Sequence, residues 1–252
     1  MTVVLAAIDD SPAALPVLRA ATAMARTLGA EARAVHVREG KHENVTALAR
    51  HAGVSIDIVD GEPVDRIVEL TAAAAVTMVV VGARRHRGGH RPSGHVALAV
   101  MAQARKPVLV VPPDAHLPAS ERFQRVLIPL EGTAPSADAV AEALESLGHA
   151  GVGITVLHVF RPGTAPRFWD QASHAGQSWG TEFLARWCDQ PGVEVRLRSG
   201  EVVAAILDVA AAESVDIIAL GWSQNTAGDR AQVVRSIVAR SDIPVLLTPT
   251  KS

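Results

Sequence analysis

An internal repeat constrains this chain more than any other feature. Val3-Val-Leu-Ala-Ala-Ile-Asp-Asp-Ser11 answers to Arg125-Val-Leu-Ile-Pro-Leu-Glu-Gly-Thr133, each an apolar run of strand length that ends in an acid and a hydroxyl residue. Asp60-Gly-Glu-Pro-Val-Asp-Arg-Ile67 answers to Ser199-Gly-Glu-Val-Val-Ala-Ala-Ile206, Val79-Val-Val-Gly82 to Ile218-Ala-Leu-Gly221, and Pro107-Val-Leu-Val-Val-Pro112 to Pro244-Val-Leu-Leu-Thr-Pro249. The order never changes. Asp9 and Glu131 lie 122 positions apart, as do His36-Val37 and His158-Val159, whereas Gly61/Gly200 and Gly82/Gly221 lie 139 apart and Pro107/Pro244 lie 137 apart. The second copy has therefore gained a segment after its second strand and lost two residues after its fourth.

A chain of 252 residues divides naturally into two such copies, each large enough to bury its own core. The expected division is 1–113 for the first domain, 114–122 for a linker that follows Pro112-Pro113 and contains Pro118, and 123–252 for the second domain. A net charge of −2 argues against a role on nucleic acid or on an anionic membrane, since phosphate-backbone binding rests on a basic surface. The longest apolar stretch, Ala72 to Val81, is broken by Thr77 and is too short to span a bilayer. Met1-Thr2 runs directly into a strand without a basic and apolar leader, so no secretory signal is expected. Cys188 is the single cysteine, which leaves no intramolecular disulfide and no thiolate metal cluster. The expectation is a cytoplasmic protein.

Local patterns give the fold class. Val3 to Ile8 is a continuous apolar run; Ser11-Pro12 then offers an N-cap and a proline for the first helical turn, and Leu15, Leu18, Ala21, Ala25 and Leu28 follow at helical spacing up to Gly29. Further strands are predicted at Ala32 to Val37, Ser55 to Val59, Met78 to Val81 and Val108 to Val111, with helices at Val64 to Ala74 and Val96 to Ala104. Alternating strands and helices, with strand runs apolar on both faces, predict an α/β protein of two doubly wound parallel-sheet domains in tandem. The last strand of each copy is expected at a sheet edge, and pairing of the two edges would make an intramolecular pseudo-dimer.

In such sheets ligands bind beyond the carboxyl ends of the strands, where strand order reverses. In the first copy this directs attention to Asp9-Asp10-Ser11, His36-Val37-Arg38, and the glycine- and arginine-rich loop from Gly82 to Val96. Glycines allow close backbone approach at a helix N-terminus and arginines add positive charge, a combination suited to phosphate.

These residues resemble the universal stress proteins, in particular their tandem two-domain members, over nearly the whole chain. The shared features are a first strand ending in Ile8-Asp9-Asp10-Ser11, a second ending in His36-Val37, the Gly61-Glu62-Pro63 turn before a helix, the Val79-Val-Val-Gly82 strand end, and Pro107-Val-Leu-Val-Val-Pro112. The resemblance implies a universal-stress-protein-like fold of the adenine-nucleotide α-hydrolase type. For members that bind ATP it also implies a Gly-x2-Gly-x9-Gly-Ser/Thr pattern after the fourth strand, with the first-strand acid near ribose and the second-strand valine near adenine. Carried over, these roles fall on Asp9, Val37, Gly82, Gly94 and Val96. The chain departs from the pattern at three points. Arg85 stands at the second glycine, the stretch to Gly94 is one residue short, and His95 replaces the small hydroxyl residue. Arg85 adds positive charge, and His95 in its cationic form could pair with phosphate.

The second copy departs further. Glu131 replaces the aspartate, the Gly-Ser pair becomes Ala231-Gln232, only Gly221 survives, and Trp222 is expected in the space phosphates need. Every Trp and Phe of the chain lies after residue 122, and Trp179, Phe183 and Trp187 recur at helical spacing within the extra segment. That face is read as core, or alternatively as an apolar pocket or partner surface formed with Phe168, Trp169 and Trp222. His86, His90 and His95 lack a carboxylate or cysteine companion, and no metal site is assigned to them. No nucleophile elbow, Walker lysine or His-Glu-x-x-His motif occurs, so no catalytic residue is assigned. The resulting expectation is a regulatory protein of the stress response that binds ATP with Mg²⁺ through its first domain. The alternative is a nucleotide-independent scaffold whose aromatic second domain holds a protein partner or apolar ligand. Association into a homodimer is open.

Overall fold

The computed structural model describes residues 1–11, 13–38, 43–83, 95–160, 174–188, 190–224 and 229–250. The first half runs β1 (Val3–Ala7), α1 (Ala14–Leu28), β2 (Glu31–Val37), α2 (Glu43–His51), β3 (Ser55–Val59), α3 (Pro63–Thr71), β4 (Val76–Gly82), α4 (His95–Gln103) and β5 (Val108–Val111). The second repeats the series as β6 (Arg125–Pro129), α5 (Ala134–His149), β7 (Gly153–Phe160), α6 (His174–Trp187), β8 (Glu194–Ser199), α7 (Val202–Ala212), β9 (Ile217–Trp222), α8 (Asp229–Arg240) and β10 (Val245–Pro249).

All ten strands join one sheet in the order β3-β2-β1-β4-β5-β10-β9-β6-β7-β8. Pairing within each half is parallel, and the halves meet through antiparallel β5 and β10, with Val110, Leu109 and Val108 opposite Val245, Leu246 and Leu247. The pseudo-dimer expected from the edge strands is thus present within one chain. Those strands are buried along their length, because each edge covers the other's unpaired N–H and C=O groups. The outer strands β3 and β8 are half-exposed and carry charge instead, including the Arg33–Asp57 and Arg196–Glu213 ion pairs.

The period-two alternation of the strands divides the core into two faces. Leu109 and Leu246 pack with Leu18 and Met24 of α1 and with Leu144 and Leu147 of α5, while Val110 and Val245 pack with Met101 of α4 and Ile237 of α8. Each face therefore draws on both halves. The segment between β5 and β6 also packs down: Phe123 is 2% exposed and its N–H donates to Thr27 Oγ1 at 2.9 Å.

Local structure corrects several sequence expectations. α1 starts at Ala14 with Ala13 as its N-cap, not at Ser11. Ser11 N–H and its hydroxyl donate to Asp9 Oδ1, a turn that displaces the helix start by two residues, while Ser11 Oγ accepts from Ala13 N at 3.3 Å. Gly29 does close α1, in the left-handed conformation at φ 65°. α3 ends at Thr71 rather than Ala74, with Ala72 as its C-cap, and Lys106 Nζ donates to Ala73 O and to Val76 O at the start of β4. α2 was not predicted at all.

The two Gly-Glu turns place Glu62 and Glu201 as N-caps of α3 and α7, after Gly61 and Gly200 at φ 132° and 125°. Only Glu201 caps with its side chain, accepting from Ala204 and Val203 N–H, which holds its carboxyl below the usual value of 4.5. Glu201→Ala should lower unfolding free energy by about 1 kcal/mol in urea at pH 7, the usual size of such a cap. A depressed folded-state pKa makes this contribution present above 4.5 and lost as pH falls through the folded value, so wild type and variant should converge in acid. A difference that persists unchanged at low pH would contradict the capping role.

Candidate functional site

Strand order reverses between β1 and β4 in the first half, and between β6 and β9 in the second, so each half has its crevice at those carboxyl ends. In the first half, Ala7 is level with Val35 on β2 and with Val81 on β4. Asp9 and Val37 each stand two residues further on in the sequence, and Gly82 ends the neighbouring strand. Val37 is buried, Asp9 is half-buried and tied to Ser11, and α4 opens at His95 with Val96 36% exposed behind it. Arg85 and Gly94, along with His86 and His90, lie outside the described residues, as does the His95 side chain. The structure therefore brings Asp9, Val37 and Gly82 to one edge.

Gly82 also has a packing explanation. A Cβ there would lie 3.2 Å from Val17 Cγ2 of α1, and at the equivalent Gly221 it would lie 2.7 Å from Ala139 Cβ of α5. Both glycines let a helix sit close on the fourth strand of its half. This accounts for the survival of Gly221 where the rest of the phosphate pattern is gone.

The crevice of the second half is not filled as expected. A cavity of about 520 Å³ lies among the ends of β6, β7 and β9 and the first turns of α5, α7 and α8. Glu131, Thr133 and Ser136 stand on its polar side, while Leu157, Ile206, Leu220 and Val234 make it apolar within. Trp222 does not occupy this space. The alternation of β9 turns its side chain onto the face of Ile218 and Leu220, where it is 3% exposed and its indole N–H donates to Met101 O of α4 at 2.9 Å. Gln224 donates likewise to Ala104 O, so two residues of the second half cap the C-terminus of α4 in the first.

The aromatic face of α6 divides its work. Phe183 is buried and, with Trp187, lies against Gly132, which its φ of 77° and the 3.0 Å approach of Phe183 Cε2 reserve for glycine. Trp179 is half-buried, lines the cavity, and stacks on Phe183 at 4.9 Å. Phe168 and Trp169, the other residues expected in an aromatic pocket, lie outside the described residues.

Sequence reasoning missed the two histidines as structural parts of the site. His36 Nδ1 donates to Ile8 O and His158 Nδ1 to Leu130 O, both at 2.9 Å, clamping the end of the first strand of each half to the second. The signal was the His-Val pair repeated at the same offset as the strand-end acids. The clamps differ in exposure: His36 is 5% exposed, whereas His158 is half-buried, lines the cavity, and has its ring 4.8 Å from Phe160 and from Phe183 and 5.1 Å from Trp179. Burial pushes the His158 pKa below its usual 6.5, against the opposing hydrogen bond to Leu130. Because a carbonyl only accepts, the neutral ring carries its proton on Nδ1 and keeps a lone pair on Nε2.

Among the described residues no group of histidine, cysteine, aspartate or glutamate is arranged to hold a metal, and no helix is long and apolar enough to cross a membrane.

Comparison with known proteins places this geometry. The sequence model of the universal stress protein family matches residues 39–112 and 122–249. No curated protein matches the chain. A universal stress protein of Archaeoglobus fulgidus DSM 4304 has the same fold over 99% of this chain and 97% of its own, at 18% identity with a TM-score of 0.68. A protein of unknown function from Pseudomonas aeruginosa PAO1 aligns over 99% of this chain and 93% of its own, at 12% identity with a TM-score of 0.65. A universal stress protein solved in complex with cAMP aligns over 51% of this chain and 98% of its own, at 21% identity with a TM-score of 0.41.

Proposed function

Because this chain belongs to the universal stress protein family, whose model matches most of its length, we propose that it is a regulatory protein that binds an adenine nucleotide in its first half. What supports this reading is that β1 and β2 run level to Ala7 and Val35 beside the reversal of strand order, with Asp9 and Val37 each two residues further on in the sequence. An acid and a buried valine side by side can take a ribose hydroxyl and the flat face of a base. Phosphates would then lie toward the start of α4, where Gly94, His95 and Val96 stand in the sequence and the helix dipole favours negative charge. Arg85 would add charge to the same end, and Mg²⁺ would enter bound to ATP. The reading assigns no turnover; Ser11, whose hydroxyl donates to Asp9, lies in the turn before α1.

Isothermal titration of the full chain with ATP and Mg²⁺ tests it. Binding is expected, and Asp9→Ala should weaken it roughly tenfold, the loss of one or two hydrogen bonds to a carboxylate. No heat and no thermal shift at millimolar ATP would remove the proposal, as would an affinity that Asp9→Ala leaves unchanged. A protein acting without nucleotide is the second reading, and the open cavity of the other half favours it.

A further inference from the structure

We propose that the cavity of the second half is a separate binding site for an uncharged, planar aromatic molecule that carries one hydrogen-bond donor. This is independent of the nucleotide reading, which concerns the other half.

Size permits a ligand of two fused rings or somewhat more: about 520 Å³ falls within the usual range for small-molecule sites. Charge decides its class. None of the described residues around the cavity is lysine or arginine, and Glu131 is among them, so an anion entering it would meet a carboxylate with no cation among those residues to offset it. Of the phosphate-pattern glycines only Gly221 is kept here, and Ala231, at the position of Gly94, is buried inside the first turn of α8.

Shape and polarity narrow the class further. Trp179 and Phe160 meet edge to face at 5.0 Å and both line the cavity, giving a flat ring an aromatic wall to join by stacking or edge contact. His158 completes that wall. Its Nδ1–H is committed to Leu130 O, so the ring nitrogen it can offer a ligand is Nε2, an acceptor in a cavity whose other polar side chains are Glu131, Thr133 and Ser136 among the described residues. A ligand hydroxyl or N–H satisfies it, whereas a ligand without a donor leaves it desolvated and unpaired. The same clamp in the first half leaves His36 almost wholly buried, so this acceptor belongs to the second half alone.

Three matched probes test the proposal on the full chain by isothermal titration: 1-naphthol, 1-methoxynaphthalene, which keeps the rings and lacks the donor, and 1-naphthyl phosphate, which adds charge. Naphthol should bind, with the methyl ether and the phosphate each roughly tenfold weaker or worse. Val233→Trp should abolish naphthol binding by filling the cavity from α8. Val202→Trp does the same from α7 and stands in if circular dichroism shows the first variant misfolded. The proposal is overturned by any of four results: no naphthol heat at millimolar probe, equal binding of the methyl ether, equal or tighter binding of the phosphate, or naphthol binding that persists in a folded cavity-filled variant.

Discussion

Leu109→Ala, a substitution in the first half, is expected to shift the unfolding transition reported by tryptophans that all lie in the second. Leu109 is fully buried and sits directly opposite Leu246 across the antiparallel junction. Truncating such a leucine costs about 2–5 kcal/mol, from lost transfer energy and the cavity left behind. The loss should reach the other half because the two share one core on this face, with Leu109 and Leu246 packed among side chains of both α1 and α5. Separating the halves would also expose β5 and β10 as two bare apolar edges. In urea, tryptophan fluorescence and far-UV circular dichroism should therefore move together to a lower midpoint in a single transition. A fluorescence midpoint that stays at the wild-type value while the dichroism splits in two would show that the halves fold independently.

The same junction shows what the sequence makes legible. Val108-Leu-Val-Val111 and Val245-Leu-Leu247 read as final strands because they are short, wholly apolar and bounded by proline, and the edge position of such strands led directly to their pairing. The repeat made the fold doubly visible, since each element was read twice. α2 escaped because Val45, Leu48 and Ala49, although at helical spacing, sit among polar residues in a stretch of low hydropathy. At the site, Asp9 and Val37 could be brought together from strand ends alone. Gly82 was read as a phosphate contact when Val17 gives it a packing reason. The role of His158 was hidden because one residue acts twice, its Nδ1 clamping a strand and its remaining ring facing the cavity. Nothing in a linear motif separates those two nitrogens.

Trp222 carries the second large effect. The sequence places it in the crevice, whereas the alternation of β9 turns it to the face of Ile218 and Leu220, against α4, which reaches it only through the β5–β10 junction. Trp222→Ala should destabilise the chain by about 3–5 kcal/mol, as for other large aromatic truncations in cores. Trp222→Phe separates the two parts of this loss. It keeps most of the buried area and removes the donor to Met101 O, so about 1–3 kcal/mol is expected, the penalty of a buried carbonyl left without its partner. Urea unfolding followed by circular dichroism measures both, and a phenylalanine variant as stable as wild type would mean that the Met101 carbonyl finds another donor. The position of this contact gives it a further consequence. α4 begins at His95, the first described residue after Ala83 of the first half, and is held at its other end by Gln224 and by Trp222, which follows Gly221 of the second cavity's wall. One helix of the first half is therefore capped by residues beside the cavity wall of the second, and the phenylalanine variant removes one of its two caps.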